Sequence, residues 1–318
     1  MKLLRIFLLI ILTSVIFYSV FLFLTDLYKI DLIKITFNFN YIPLIFIFII
    51  MSWIPLFFRW RLLCKNLKID VRIRDDFLIY LGGFALSITP AKMGELIRTQ
   101  ILREKSGISR TYTTPLIFIE KFYDLIGALI VSILGIYYFP EITIIIISGV
   151  VLSIIIFVLF SSKYIFQQST LFLSKFKFTK KFVEPLSQSH EILKSSTKPK
   201  IFISSLFLST LYWILISFSV FYILKSLDVD SLGVLELIST YTSSLFLGAI
   251  SFLPAGLGIT EGSLTGLLHL QGISLSLSAV VVIIIRIFTL WFNVIVGFIA
   301  LKIIGAFSIN FTDQQKTD

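Results

Sequence analysis

Runs of about 20 apolar residues recur along this chain, and short polar or basic segments separate them. A run of that length forms an α-helix that crosses the hydrocarbon core of a bilayer. The pattern therefore predicts an all-α integral membrane protein, a polytopic helical bundle that forms one transmembrane domain over residues 1–318. The predicted full spans are 6–24, 41–58, 113–139, a span that ends near 160, 201–224 and 276–301.

Two apolar stretches are interrupted before they can cross. Residues 77–89 stop at Pro90 and reach only about 20 Å as a helix, against a hydrocarbon core of about 30 Å. Both flanking segments are basic and should stay on the same side, so 77–105 is predicted to be a re-entrant pair of helices that turns at Pro90. The second stretch, 231–253, ends at Pro254, and the sequence leaves open whether it crosses fully or also re-enters.

The two broken stretches resemble each other. Pro90 and Gly94 match Pro254 and Gly258, and Ser-Gly-Ile-Ser at 106–109 matches Gln-Gly-Ile-Ser at 271–274. An odd number of predicted spans separates the copies, so they enter the membrane from opposite sides. Two re-entrant broken helices in an inverted repeat are typical of secondary transporters. The repeat halves are about 41–139 and 201–301.

Each break has a chemical use. A helix that restarts after Pro90 or Pro254 presents free backbone N–H groups and a positive dipole end, and Lys92 adds a full charge. Two such ends that face each other would hold an anionic group such as phosphate. Glu95 and Glu261 lie in the first turns, where they either line the site or only complement the helix dipole.

Four charged residues fall inside predicted spans: Glu120, Lys121, Asp124 and Arg286. Each costs about 2.5–3.5 kcal/mol at the centre of a membrane helix, so they must pair or face water. We expect Arg286 to pair with Glu120 or Asp124, either to fix helix register or to line the substrate path. Lys121 should extend to the cytoplasmic surface. Asn293 shares a helix face with Arg286 and either lines the cavity or bonds another helix.

The residues predicted to bind substrate are Pro90, Lys92, Gly94, Glu95, Arg98, Glu120, Asp124, Pro254, Gly256, Gly258, Glu261, Arg286 and Asn293. Lone Cys64 and the distant His190 and His269 offer no disulfide and no metal site, and no catalytic triad or nucleotide-binding loop is present. We therefore expect no cofactor and no enzymatic activity.

Composition and charge add one point, which is the orientation of the protein in the membrane. The chain is 57% hydrophobic, and its net charge is +10. The basic residues concentrate in 59–76, 91–112 and 161–200, which the positive-inside rule places in the cytoplasm together with the N-terminus; we expect no nucleic-acid partner. We expect a retained N-terminal helix and a multi-pass protein of the plasma membrane. Segment 161–200 mixes lysines with aromatics, as either a helix on the membrane surface or a solvated linker.

Two pairs of stretches carry a resemblance to a known family. PAKMGELIRTQILREKSGIS at 90–109, with IEKFYDLIG at 119–127, resembles the first signature of the lysylphosphatidylglycerol-synthase transmembrane-domain family, also called flippase-like. LPAGLGITEGSL at 253–264, with IIIRIFTLWFNVIVG at 283–297, resembles its second signature. Ala255 stands where that pattern has Gly, and Lys121 where it has Arg. The resemblance implies the flippase half only, without the aminoacyl-transferase domain of the full-length synthases.

The expected function is translocation of a lipid with an anionic, phosphate-bearing head group, either a phospholipid or a polyprenyl-phosphate-linked lipid. Arg286→Ala should then abolish transport and leave the protein folded. One alternative is an ion-coupled carrier of a small soluble anion. Another is a non-catalytic membrane subunit that recruits a separate lipid-modifying enzyme through 161–200. The sequence does not define the oligomeric state.

Overall fold

The computed structural model describes residues 36–89, 93–133, 135–138, 140, 143–175, 189–251 and 253–306, and these are helical with no β-strand among them. The predicted first span, 6–24, lies outside them. The main helices are α1 Ile42–Asn66, α2 Ile73–Phe84, α3 Ile97–Ser106, α4 Arg110–Ser132, α5 Thr143–Ser161, α6 Lys163–Ser174, α7 Pro199–Ser226, α8 Val234–Ile250, α9 Ile259–Leu270, α10 Leu275–Arg286 and α11 Phe292–Ile303. Short helical turns are Phe39–Tyr41, Met93–Leu96, Gly135–Tyr138 and 189–196, and the π-helical turn Ile287–Trp291 joins α10 to α11.

Within the described ranges, three helical stretches are long and apolar enough to cross a membrane: Phe39–Asn66, Pro199–Ser226 and Leu275–Ile303. The bent pair α5–α6 adds a fourth if it counts as one span, with a bend of 103° between its parts. Helix α4 is 23 residues long, but its middle carries three charged residues. An all-helical membrane protein is therefore confirmed, and the predicted ends near residues 160 and 224 agree with those of α5 and α7.

Both interrupted stretches form two helices joined by a break. Helices α2 and α3 flank 85–96, and Pro90 and Lys92 within that break lie outside the described residues. Helix α8 ends at Ile250, and α9 begins at Ile259, so the break predicted at Pro254 is confirmed. Helix α8 has 17 residues and reaches about 26 Å, less than the hydrocarbon thickness. The pairs α2–α3 and α8–α9 are called the first and second hairpins below.

The repeated Gly-Ile-Ser sequences carry out one structural task twice. Gly107 and Gly272 follow the second helix of each hairpin with φ of 68° and 89°, a left-handed conformation that glycine adopts without steric cost. Two residues later a serine caps the next helix: Ser109 Oγ accepts the N–H of Tyr112, and Ser274 Oγ accepts that of Leu277. Each motif thus ends a hairpin and starts the helix that follows.

The two sequence halves pack across each other. Helix α1 lies along α7, α2 along α11, and α4 along α8. Helices α1 and α7 run antiparallel, because the Phe48 ring stacks on Phe218 at 5.3 Å while Arg59 meets Ser209 further along. Close approach of α11 to α2 depends on Gly297, where a Cβ would lie 2.1 Å from the backbone nitrogen of Ala85.

Gly297→Ala should lower the free energy of unfolding by about 1–3 kcal/mol, because the added methyl group meets backbone atoms that cannot rotate away. Gly266→Ala is the matched control: Gly266 is also helical, and a Cβ there meets nothing within 4 Å. That change should be neutral or stabilising by up to about 1 kcal/mol. Thermal unfolding of both variants in detergent measures the difference, and equal stabilities would contradict this account of the α2–α11 contact.

Candidate functional site

Residues from the tips of both hairpins line a cavity of about 540 Å³. Ser87 and Glu95 from the first tip line it, as do Gly248, Ala255 and Gly256 from the second. Its charged lining residues are Arg59, Glu95, Glu120, Lys121, Asp124 and Arg286. Its aromatic and polar lining residues include Trp53, Tyr80, Tyr212, Trp213, Tyr241, Thr260, Thr289 and Asn293. The volume falls within the range of about 300–1,000 Å³ that is usual for ligand sites.

Helix α4 supplies the centre of the charged wall. The guanidinium of Arg59 on α1 donates to Asp124 Oδ1 at 2.6 Å and lies 3.6 Å from Glu120 Oε1. Lys121 Nζ donates to Glu95 Oε1 at 2.7 Å and lies 3.6 Å from Asp124 Oδ2. Because α4 places these three charges within five residues, it draws α1 and the first hairpin to the same point.

Arg98 completes this network from a buried position that does not line the cavity. Its Nη2 donates to Glu95 Oε2 at 2.7 Å and pairs with Glu120 Oε2 at 2.6 Å. The guanidinium lies over the rings of Trp60 and Tyr80, 4.7 and 5.1 Å from their centroids. These cation–π contacts partly replace the hydration that the buried charge has lost. Arg98 is not among the cavity-lining residues, so it positions the two carboxylates instead of facing the space.

Within the described ranges, the network joins three cations to three carboxylates, and the formal charges of these six residues cancel. Arg59, Arg98 and Glu120 are each only 1% exposed. Isolated charges at such depth would be prohibitive, and paired ones are tolerated. Among the described residues, an entering anion therefore meets cations that carboxylates already hold.

The second tip has its own ion pair. Arg286 Nε donates to Glu261 Oε1 at 2.7 Å, and its Nη2 donates to the carbonyl of Ala255 at 3.1 Å. Glu261 Oε2 accepts the N–H of Gly258, which caps α9. The dipole role expected of Glu261 is therefore real, and the acid also holds Arg286 against the break. The backbone of the break is left-handed at Ala255, Gly256 and Gly258, with φ of 51°, 68° and 86°.

The predicted pairing of Arg286 with Glu120 or Asp124 is wrong. Arg286 lies beside the second tip, where Glu261 is the nearer acid, whereas Glu120 and Asp124 face Arg59 and Arg98. The expectation for Lys121 is also wrong, because its amine turns inward to Glu95.

The other predicted site residues fall into three groups. Glu95, Glu120, Asp124, Gly256, Arg286 and Asn293 line the cavity. Gly94, Arg98, Pro254, Gly258 and Glu261 lie in or next to the breaks without lining it. Pro90 and Lys92 lie outside the described residues. Asn293 also accepts a hydrogen bond from Trp53 Nε1 at 3.0 Å, so both of its expected roles hold. The described residues contain no group of three or more His, Cys, Asp or Glu that could hold a metal ion.

Sequence reasoning missed Arg59 as a site residue and assigned it to a cytoplasmic loop. A signal was present: α1 continues to Asn66, and its buried positions Ile45, Ile49, Ser52, Leu56, Arg59 and Leu63 follow helical spacing. Arg59 lies on this inward stripe, so it could have been recognised as buried. The aromatic lining residues gave no comparable signal, because aromatics are common along the whole chain.

Comparisons with known proteins agree with the sequence patterns. The family described as "Lysylphosphatidylglycerol synthase TM region" matches residues 8–297. The chain is 27% identical over 231 residues to the UPF0104 membrane protein MJ1078 of Methanocaldococcus jannaschii, covering 70% of this chain and 94% of that protein. It is 25% identical over 285 residues to a UPF0104 membrane protein of Methanothermobacter thermautotrophicus, covering 81% and 83%. No solved structure matches.

Arg286→Ala should lower the free energy of unfolding by about 3–5 kcal/mol, because Glu261 would remain buried without its counter-charge. This replaces the expectation that the variant stays folded. The double variant Arg286→Met with Glu261→Gln should recover most of the loss, since a glutamine can still cap α9 and no charge is left buried. Thermal unfolding of the single and double variants tests the coupling, and an unchanged Arg286→Ala protein would contradict it.

Ala255→Gly should raise the free energy of unfolding by about 1 kcal/mol, because the left-handed backbone at φ 51° costs alanine about that much and glycine nothing. Ala279→Gly is the control, in the middle of α10, where glycine should instead destabilise by about 1 kcal/mol. Opposite shifts in melting temperature are expected, and shifts of the same sign would contradict the strain at Ala255.

Proposed function

The chain belongs to the family of the lysylphosphatidylglycerol synthase transmembrane region, and from that premise we propose that it translocates a lipid with a phosphate-bearing head group across the bilayer. The observation that carries the proposal is a single cavity in which cations and apolar walls adjoin. Arg59, Lys121 and Arg286 supply positive charge suited to phosphate. The protein acts without covalent chemistry, as a carrier instead of an enzyme.

An inverted repeat with two re-entrant hairpins gives this cavity access from both sides. Two contacts support opposite entry. The Tyr112 hydroxyl, just beyond the first hairpin, donates to the carbonyl of Leu67 at the end of α1. The second hairpin begins close after α7 ends, and Gln271 returns to bond Thr240 in α8. Because α1 and α7 are antiparallel, these hairpins open at opposite ends of the bundle while their tips meet inside.

We place the end that contains Leu67 in the cytoplasm, and with it the N-terminus, in the plasma membrane. Basic residues of separate sequence segments converge there, because Asn66 donates to Ser195 at 3.0 Å and so joins the end of α1 to the start of the α7 region. Exposed basic residues near this end include Lys65, Lys68, Arg72, Arg74, Lys105, Arg110, Lys194, Lys198 and Lys200. An excess of Lys and Arg of this kind marks cytoplasmic segments.

Binding proceeds by exchange of ion-pair partners. Lys121 is the most accessible cation of the α4 network, with its side chain 27% exposed, and its contact with Asp124 is loose at 3.6 Å. The incoming phosphate displaces Asp124 from Lys121 and Arg59, while Glu95 and Glu120 stay fixed by Arg98. Each cation keeps an anionic partner throughout, and the displaced Asp124, whose side chain is 19% exposed, turns to the water of the cavity, because a carboxylate without a counter-charge is costly in the low-dielectric interior.

Lys121→Gln should slow lipid translocation about tenfold, the loss expected for one charge-assisted hydrogen bond of about 1.4 kcal/mol. Folding should persist, because Glu95 keeps Arg98 and Asp124 keeps Arg59. The measurement is the rate at which fluorescent-tail phosphatidylglycerol crosses vesicles that contain the purified protein.

Lys225→Gln is the matched control. Lys225 is also ion-paired, to Asp230, and its side chain is 30% exposed, but it does not line the cavity. The control should transport like wild type. Equal rates for Lys121→Gln and wild type would refute the assigned role of Lys121, and wild-type vesicles no faster than protein-free ones, across phospholipid and polyprenyl-phosphate probes, would refute translocation.

A further inference from the structure

The cavity extends away from its charges into an apolar part between α4 and α5. Phe118 and Phe122 of α4 line it on one side, and Leu152, Ile156 and Leu159 of α5 on the other. The α5 residues are spaced four and three apart and so share one helix face. These five side chains are called the apolar limb below. They offer nothing to a phosphate or to any small soluble anion.

The apolar limb reaches the outer surface of the bundle. Phe118 and Leu152 line the cavity and are 37% and 39% exposed. The opposite face of α5 is exposed as well, with Ile147 and Ile154 at 56% and 57%. In a membrane protein such apolar surface faces hydrocarbon, so the limb connects the cavity interior with the lipid around the bundle.

The limb also adjoins the cations directly. Lys121 comes three residues after Phe118 on α4 and immediately before Phe122, and all three side chains line the same cavity. A molecule with its phosphate at Lys121 and a hydrocarbon chain along the limb would place its charge beside a cation and its apolar part beside apolar side chains. A soluble anion would leave the apolar part filled only by water, which apolar walls do not hold well.

Helix α5 is suited to border an opening. It is apolar on all sides and packs on α4, on the following α6 and, at Gly149, close to Phe246 of α8. The hydroxyl of Ser153 donates to the carbonyl of Gly149 within the same helix, so this hydrogen bond does not tie α5 to another helix. No ion pair holds α5 to α4 among the described residues, so a lipid chain between them would displace only dispersion contacts.

We propose that the apolar limb binds an acyl or prenyl tail of the transported lipid, and that the gap between α4 and α5 is the lateral opening through which the lipid enters. The proposal rests on the proposed function and deepens it, since it assigns the substrate to the lipids and excludes free phosphate. The tail lies in the limb while the phosphate is held at Lys121.

Fluorescence quenching by brominated lipid tests the tail directly. Trp53 and Trp213 line the cavity and are only 7% and 8% exposed, so bulk lipid reaches them poorly. The parent protein carries Trp291→Phe; Trp60, which is fully buried and does not line the cavity, remains as a constant contribution to the emission. The parent is reconstituted in vesicles of phosphatidylglycerol and phosphatidylcholine with either brominated or unbrominated tails. The expected result is lower tryptophan emission in the brominated vesicles, because Trp53 and Trp213 line the same cavity as the limb that holds the brominated tail.

Two double variants of the parent separate the limb from the outer surface. Leu152→Phe with Ile156→Phe fills the limb and should lose most of the quenching. Ile147→Phe with Ile154→Phe adds the same bulk to the outward face of α5 and should be quenched like the parent. Unquenched parent protein, or a limb-filled variant quenched as strongly as the parent, would overturn the proposal; the first result would match a soluble-anion carrier.

This measurement does not depend on transport, so the two proposals can fail separately. Quenching that the limb-filled variant loses, without movement of fluorescent-tail phosphatidylglycerol or a polyprenyl-phosphate probe, would support the tail site and refute translocation. Transport that persists in the limb-filled variant would refute the α4–α5 opening and leave translocation standing.

Discussion

The architecture depends on one constraint: a charge buried within a membrane must have a partner. Helix α4 carries Glu120, Lys121 and Asp124 in its middle, and two arginines from other helices compensate the acids. Arg59 can do so only if α1 extends beyond the apolar run of the sequence. Arg98 can do so only if the first hairpin returns beside α4. The lengths and positions of these elements therefore follow from the need to neutralise α4.

The same physics explains how the chain tolerates broken helices inside the bundle. Irregular backbone at that depth needs internal partners, and each break has an acid and an arginine. Glu95 binds Arg98 beside the first break, and Glu261 binds Arg286 beside the second. The second pair also satisfies backbone groups directly, since Glu261 accepts the N–H of Gly258 and Arg286 donates to the carbonyl of Ala255. Charged residues that appear costly in the sequence thus hold the breaks in shape.

Local features could be predicted from the sequence. Features that depend on which helix faces pack together could not. Composition and apolar runs predicted a helical membrane protein, and Pro254 with its glycines predicted the break between α8 and α9. The repeated Gly-Ile-Ser sequences lie where each hairpin ends and the next helix begins, and the left-handed backbone at Gly107 and Gly272 ends the hairpin there. The partner of Arg286 could not be predicted, because Glu120 and Glu261 are equally plausible until the packing of α10 is known. Arg59 was not predicted to be a site residue, because a positive charge after an apolar run is also typical of a cytoplasmic loop.

For the proposed transport, a network of paired charges has a consequence that an open cationic site would not have. A cavity lined by unpaired arginines would bind a phosphate so tightly that release on the far side would be slow, since only differential affinity between states moves a ligand. In the proposed exchange, phosphate takes the place of Asp124 at Lys121 and Arg59, and Asp124 returns when the phosphate leaves. The returning carboxylate offsets part of the cost of release, and the apolar limb adds selectivity for the tail of the substrate. In this proposal the paired charges bind the head group and the apolar limb binds the tail. This arrangement suits a lipid, because its head group needs a polar environment and its tail an apolar one.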